Sequence, residues 1–348
     1  LRETTALQDA IVAGGGHGAL FPSAHDLPTR FETELQMFRD ATDLGCQVLF
    51  SGGTGAQGDG GVARWEAFFE EQNTGGKRLA SICHTRPSGA FFGLAQLSPF
   101  TKKSAAWREL MALPSMSARV EALKNATSRA NLIAEGIASG DMKHLAAMLH
   151  PFGNEQTPDL DFERQASLLQ LAASAGKDPV EVYLDRLLAS EGREFFNYWM
   201  FGGNLENQWN YMRLPYVVPM LGDAGAHVGF FTDTDSPTVL LSELTRKQGV
   251  YSLPEAVHRI TGKSAQIIGL KERGELRQGW HADINVIDYE NLHTCHPEYV
   301  NDFPHGGGRF IVKSRGYDAT IVAGQVVVQN GVHTGHRPGE VIRNFVRG

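Results

Sequence analysis

Asp223 is the residue whose type and setting point most directly to chemistry. It stands in Gly222-Asp223-Ala224-Gly225-Ala226-His227, directly after the apolar run Tyr216-Val217-Val218-Pro219-Met220-Leu221. A buried strand that runs into a glycine-flanked carboxylate puts that carboxylate at the carboxyl rim of a parallel sheet, where βα folds gather reactive side chains. There it can hold a metal ion, take a proton from water and return it to a leaving amine. The flanking glycines permit dihedrals and close approaches that other residues resist. An Asp-x-Gly sequence is also ordinary turn chemistry, with the carboxylate capping its own backbone. His227 follows, then Asp233 and Asp235 ahead of Ser236-Pro237. An imidazole and several carboxylates on one loop could bind a metal or the polar end of a substrate. The same acids also suit a helix start, where the dipole favours negative charge.

A second group comes after the run 78–83, where His84 is followed by Arg86-Pro87. An arginine held by the next proline could clamp a substrate carboxylate through two parallel hydrogen bonds. His84 could ligate a metal, and His25, after Leu20-Phe21, has the same standing. Either histidine could equally be a hydrogen-bonded structural residue at a strand end. Other chemistries lack their signatures. There is no His-x-His, His-Glu-x-x-His or Cys-x-x-Cys, and the glycine-rich stretch 52–61 lacks the Gly-Lys-Ser/Thr ending of a phosphate loop. Gly-x-Ser-x-Gly, the nucleophile elbow of serine hydrolases, is missing too.

These residues need elements to hold them, and the chain supplies alternating ones. A helical pattern over 5–13 is followed by a strand at 18–21. Residues 29–44 place Phe31, Leu35, Phe38 and Ala41 at helical spacing, and Gly45 terminates them. Residues 47–50 read as a buried strand, Val62, Trp65, Phe68 and Phe69 as one face of a helix, and 78–83 as a third strand. Strand, loop, helix, strand at this spacing signals parallel βα units. Strand signals then stop, and 99–158 reads as an inserted helical cap. Helices resume over 161–175 and 179–190, with Pro179 suited to a first turn. Strands are expected at 195–200 and 216–221, and Ser236-Pro237 is expected to cap a helix. Near the end, 282–288 and 319–328 read as strands, the second turning at Asn330-Gly331.

Bulk properties narrow the partners. The 348 residues carry a formal charge of −7 and no basic block, which argues against nucleic acid and against an anionic membrane surface. No apolar run approaches the roughly 18–20 residues that span a bilayer. Cys46, Cys83 and Cys295 are odd in number and far apart, so a disulfide framework is not expected and a reducing cytoplasm is. A small-molecule substrate fits this profile, and a homo-oligomer is compatible with it.

Two stretches carry a family resemblance. Thr261-Gly262-Lys263-Ser264-Ala265 to Leu270, followed by Gly274-Glu275-Leu276-Arg277-Gln278-Gly279-Trp280-His281-Ala282-Asp283 to Asp288, resembles the C-terminal signature of the amidohydrolase superfamily. The segment Gly324 to Gly331, with Val332-His333-Thr334-Gly335 and Arg337-Pro338-Gly339, is similar to the closing hairpin of D-aminoacylases, the N-acyl-D-amino-acid deacylases. Gly222 to His227 looks like the end of that family's eighth barrel strand. Arg86-Pro87-Ser88-Gly89 with Gly93-Leu94 resembles a motif after the seventh.

The resemblance implies an α/β fold: the C-terminal part of a TIM-like (β/α)8 metal-dependent hydrolase barrel plus a small β-sandwich module. Residues 1–270 would supply barrel strands 5–8 with the helical insertion at 99–158, and 271–348 the sandwich. The chain starts at Leu1 within a helical pattern, so the missing N-terminal barrel half, with the family's His-x-His, is expected upstream. The sixth strand, 47–52, ends in Ser51-Gly52-Gly53 where superfamily members often carry a histidine, and the fifth, 18–23, offers only the displaced His25. The implied activity is hydrolysis of N-acyl (D-)amino acids by water activated on Zn2+. Asp223 would be catalytic and a metal ligand, His84 and His25 further ligands, and Arg86 and His227 substrate-binding residues. A hydantoinase-like cyclic-amide hydrolase and a non-catalytic binding protein derived from the barrel are the alternatives.

Overall fold

Short runs of β-branched and aromatic residues separated by amphipathic helices give this chain a parallel sheet. The computed structural model describes residues 2–14, 19–20, 27–53, 61–153, 158, 160–220, 222, 225 and 227–342. The first elements are α1 (Arg2–Ala13), β1 (Ala19–Leu20), α2 (Leu27–Asp43), β2 (Gln47–Ser51), α3 (Gly61–Gln72) and β3 (Arg78–His84). Phe38 of α2, Phe50 of β2 and Trp65 and Phe69 of α3 are fully buried between the layers. Their rings stack, Phe38 on Phe50 at 4.7 Å and Phe50 on Trp65 at 5.3 Å. At roughly 25 cal/mol per Å2 of apolar surface, each such ring contributes on the order of 2–3 kcal/mol through burial alone.

The chain then leaves this sheet. After β4 (Phe91–Phe92) come α4 (Ala105–Ala112), α5 (Met116–Lys124), α6 (Ala126–Ser139) and α7 (Met142–Leu145). Next are β5 (Leu149–Gly153), α8 (Leu168–Ala175), α9 (Pro179–Ala189) and β6 (Phe195–Tyr198). Sequence explains the helix starts: Ser104, Ser115 and Asn125 each accept a backbone N–H with the side chain, and Ser167 and Asp178 form reciprocal capping boxes. These helices bury a separate apolar cluster containing Phe100, Trp107, Leu132, Tyr183 and Phe196. One expectation fails here. Leu149–Gly153, inside the stretch read as helical, is a strand, and it pairs antiparallel with β6, which also pairs antiparallel with β4. Five residues with one proline show no usable periodicity, so only the pairing partner defines this strand.

The chain returns through α10 (Leu205–Arg213) to β7 (Val217–Met220). The sheet order is β1-β2-β3-β7, all parallel, with His84 beside Met220 in the register. Among the described residues β1 and β7 are open edges, and no closed barrel is present among them. What stands is a mixed α/β fold.

A short 3-10 turn, Asp233–Asp235, leads into α11 (Ser236–Val239), which widens into a π-helix over Leu240–Lys247. Ser236 is not the expected cap: its backbone is already helical, and its hydroxyl meets that of Thr85 at 2.7 Å. Then come α12 (Leu253–Ile260), α13 (Gly262–Ile268), β8 (Ile284–Ile287), β9 (His293–Thr294), β10 (Glu298–Val300), β11 (Arg309–Ile311) and β12 (Ser314–Arg315). The last strands are β13 (Tyr317–Val322), β14 (Gln325–Gln329) and β15 (Val332–His333), which join β8 in an antiparallel sheet ordered β15-β14-β13-β8. The strand expected at 319–328 is thus two strands. Ala323 (φ 47°) and Gly324 (φ 77°) turn the chain as tightly as Asn330 (φ 49°) and Gly331 (φ 77°) do. Alanine rarely takes positive φ, so its turn left no composition signal. No helix among the described residues is long and apolar enough to cross a membrane.

Candidate active site

The parallel register brings the carboxyl ends of β3 and β7 side by side. Beyond β3 the chain continues through Thr85, Arg86, Pro87 and Ser88; beyond β7 it passes Gly222 and returns through 227–235. Asp233 sits between these two exits. Its Oδ2 accepts a 2.5 Å hydrogen bond from the Ser88 hydroxyl and lies 4.0 Å from His84 Nδ1. The same carboxylate occupies the space beside the Gly222 Cα: a Cβ there would meet Asp233 Oδ2 at 1.6 Å. The His84 ring lies parallel to Phe201, centroids 5.4 Å apart, and its backbone carbonyl accepts from Gln208 Nε2 at 2.7 Å.

Arg86 has partners other than the substrate expected for it. Its Nε and Nη2 donate to Asp235 Oδ1 at 3.3 and 3.1 Å, and Nη2 also donates to the Thr232 carbonyl at 3.0 Å. Nη1 reaches the Pro87 carbonyl at 3.4 Å, and the Phe152 ring lies 5.6 Å from the guanidinium carbon. Both side chains of the pair are only 2% exposed, and Asp235 Oδ2 accepts a further bond from Thr294 of β9 at 3.0 Å. The guanidinium is therefore bonded inside the protein, where it ties the β3 exit to the turn after β7. That turn is clasped from two more sides: Phe91 N–H donates to the Phe230 carbonyl and Phe310 N–H to the Val228 carbonyl, both at 2.8 Å.

His227 is exposed, with its ring 5.1 Å from Phe230 and its carbonyl accepting from the N–H groups of Phe230 and Phe231. Asp223 and His25 lie outside the described residues. Cys83, one residue before His84, is buried. Burial pushes its thiol well above the usual range, and the hydrogen bond from Gln208 offsets this only in part. It is a neutral thiol at physiological pH and no nucleophile.

Among the described residues, no three His, Cys, Asp or Glu side chains come together as a metal site. His84 and Asp233 are one imidazole and one carboxylate, whereas catalytic zinc takes three protein ligands. The described residues therefore do not fit a metal ion by themselves. Sequence reading reached His84, Arg86, Asp233 and Asp235 but missed Ser88, Phe201, Gln208 and Thr294. Ser88 was within the Arg86-Pro87-Ser88-Gly89 motif; the other three come from distant segments and carried no local signal.

Comparison with known proteins places this arrangement. The chain matches the amidohydrolase family over residues 2–328 and belongs to it. Over 106 residues it is 39% identical to an N-acyl-D-aspartate deacylase of Alcaligenes xylosoxydans xylosoxydans, covering 30% of this chain and 19% of that protein. Its fold is similar to that of a D-aminoacylase variant solved with copper chloride (TM-score 0.53, 17% identity, 98% of this chain and 59% of the other). It is also similar to an N-acyl-D-glutamate deacylase of Bordetella bronchiseptica, solved with zinc and a phosphonate inhibitor (TM-score 0.50, 15% identity, 98% and 59%). The chain thus spans well under two thirds of the length of these relatives.

Proposed function

We propose that the protein hydrolyses the amide bond of N-acyl amino acids, with the D-series as its substrate class. The observation that carries this reading is the meeting of His84, Ser88, Asp233 and Gly222 at the carboxyl ends of adjacent parallel strands, directly beside Asp223 in the chain. Family membership and the named relatives support it. In this reading residues 1–270 supply strands 5–8 of a (β/α)8 barrel, and 271–348 a β-sandwich module.

Asp223 is the general acid–base: it takes the proton from the attacking water and delivers it to the departing nitrogen. Arg86 and Asp235 hold the turn that leads back from it, and exposed His227 is left to meet the polar end of the substrate. Zinc is the ion this reading requires. The described residues do not assemble its ligands.

The test is an assay of the natural full-length protein on N-acetyl-D-aspartate, N-acetyl-D-glutamate, their L-enantiomers and hydantoin, with metal analysis alongside. Amine release from the D-substrates, stoichiometric zinc, and loss of turnover in a folded Asp223→Asn variant are expected. Opening of hydantoin alone would move the reading to a cyclic-amide hydrolase. No turnover and no metal would make it a binding protein.

A further inference from the structure

We propose that Asp233 is a positioning residue for this reaction: its carboxylate, anchored by Ser88 and seated against Gly222, fixes the backbone at Gly222, one residue before Asp223 in the sequence, and orients the His84 imidazole. The kinetic part rests on the hydrolytic reading, while the structural part rests on geometry alone.

Three observations converge on one carboxylate. First, its Oδ2 receives the Ser88 hydroxyl at 2.5 Å, which fixes it to the segment just beyond β3. Second, it fills the volume that a side chain at 222 would need, with Oδ2 at 1.6 Å and Cγ at 1.9 Å from the place of a Cβ. Glycine at 222 is therefore required by the carboxylate, whatever its own dihedrals. Third, Oδ2 faces His84 Nδ1 at 4.0 Å, within ion-pair range but too long for a direct hydrogen bond. A negative charge on that side favours a proton on Nδ1 through the field alone. Phe201 lies parallel to the ring and limits its tilt. One side chain thus holds both the backbone at Gly222 and the imidazole at the end of β3.

The seating is tested by a double-mutant cycle in thermal unfolding. Gly222→Ala alone should lower Tm by several degrees. In an Asp233→Ala background the same change should be nearly neutral, because its clash is gone. Additive losses would overturn the seating. The role is tested with Asp233→Asn, which keeps shape and removes charge. Its kcat on the N-acetyl-D-amino acids should fall about tenfold to a hundredfold while KM stays within about threefold and Tm is nearly unchanged. The 15N signals of His84, assigned with His84→Gln, should show Nδ1 losing proton occupancy in Asp233→Asn. Wild-type kcat with unmoved His84 signals would overturn the proposal. If the wild type hydrolyses none of these amides, the hydrolytic reading fails by itself. The cycle and the His84 signals would then still decide the placement.

Discussion

Strand β7 is held at each end by a buried arginine, and the two are satisfied in opposite ways. At its start Arg259 of α12 donates to the carbonyl oxygens of Met212, Arg213, Leu214 and Val217 and shares Glu255 of its own helix. At its far end Arg86 pairs with Asp235, which is as buried as itself. The carbonyl cage needs no second buried charge, since Glu255 is half exposed. The Arg86–Asp235 pair needs each partner to justify the other, and through Thr294 it also engages β9. Buried ion pairs are weak sources of stability and better sources of a single arrangement. The foot of β7 is therefore built for strength, and the rim, where Asp233 and Gly222 meet, for geometry.

Removing the cage should have the largest effect. Arg259→Met removes a donor from four carbonyls. Met212 keeps the Tyr251 hydroxyl and Leu214 the Val217 N–H, so the loss falls on Arg213 and Val217 at about 1–3 kcal/mol each, together with the packing on Tyr251, read as a lowered unfolding free energy by denaturant titration. Arg86→Met should cost about 3–5 kcal/mol because Asp235 is left buried and unpaired. The double variant Arg86→Met/Asp235→Leu should recover most of that stability while turnover stays low. Equal recovery of both would mean the pair has no part in the site.

A third buried base sharpens the contrast by staying neutral. Burial lowers the His150 pKa from 6.5 to about 4, and its ring lies on Trp199 with centroids 3.6 Å apart. Between those two values the unfolded chain holds the extra proton, so stability should fall as pH drops from 6.5 to about 4 and level off below. His150→Gln should flatten that slope in unfolding curves taken across the range. Thr294→Val removes one hydrogen bond to a buried carboxylate and should cost about 1–2 kcal/mol. The smallest effect belongs to the exposed Arg309–Asp302 pair, where Arg309→Ala should leave the unfolding midpoint nearly unchanged.

Much of this was legible from residue spacing. The helices around Phe38 and Trp65 and the strands at 47–51, 78–84 and 217–220 follow from local apolar periodicity, and their parallel pairing from the helices between them. Leu149–Gly153 was not legible because five residues have no period and their partner lies more than forty residues on. The turn at Ala323 was hidden by a residue type that seldom adopts it. At the site, Asp233 and Asp235 were visible as acids on one loop, but a run of acids before a helix does not say which one faces a histidine. That choice was made by Ser88 and Arg86, some 145–149 residues away in the chain.

Cys83 gives β3 a built-in clock. Alkylating reagents attack thiolates, and this thiol is both sealed off and held protonated in the folded protein. Its labelling rate is therefore a measure of how often the strand beneath His84 comes away from its neighbours, whereas partly exposed Cys295 marks time in the carboxyl-terminal region. Reading the two thiols together would tell whether the rim beside Asp223 opens independently or only when the whole fold lets go.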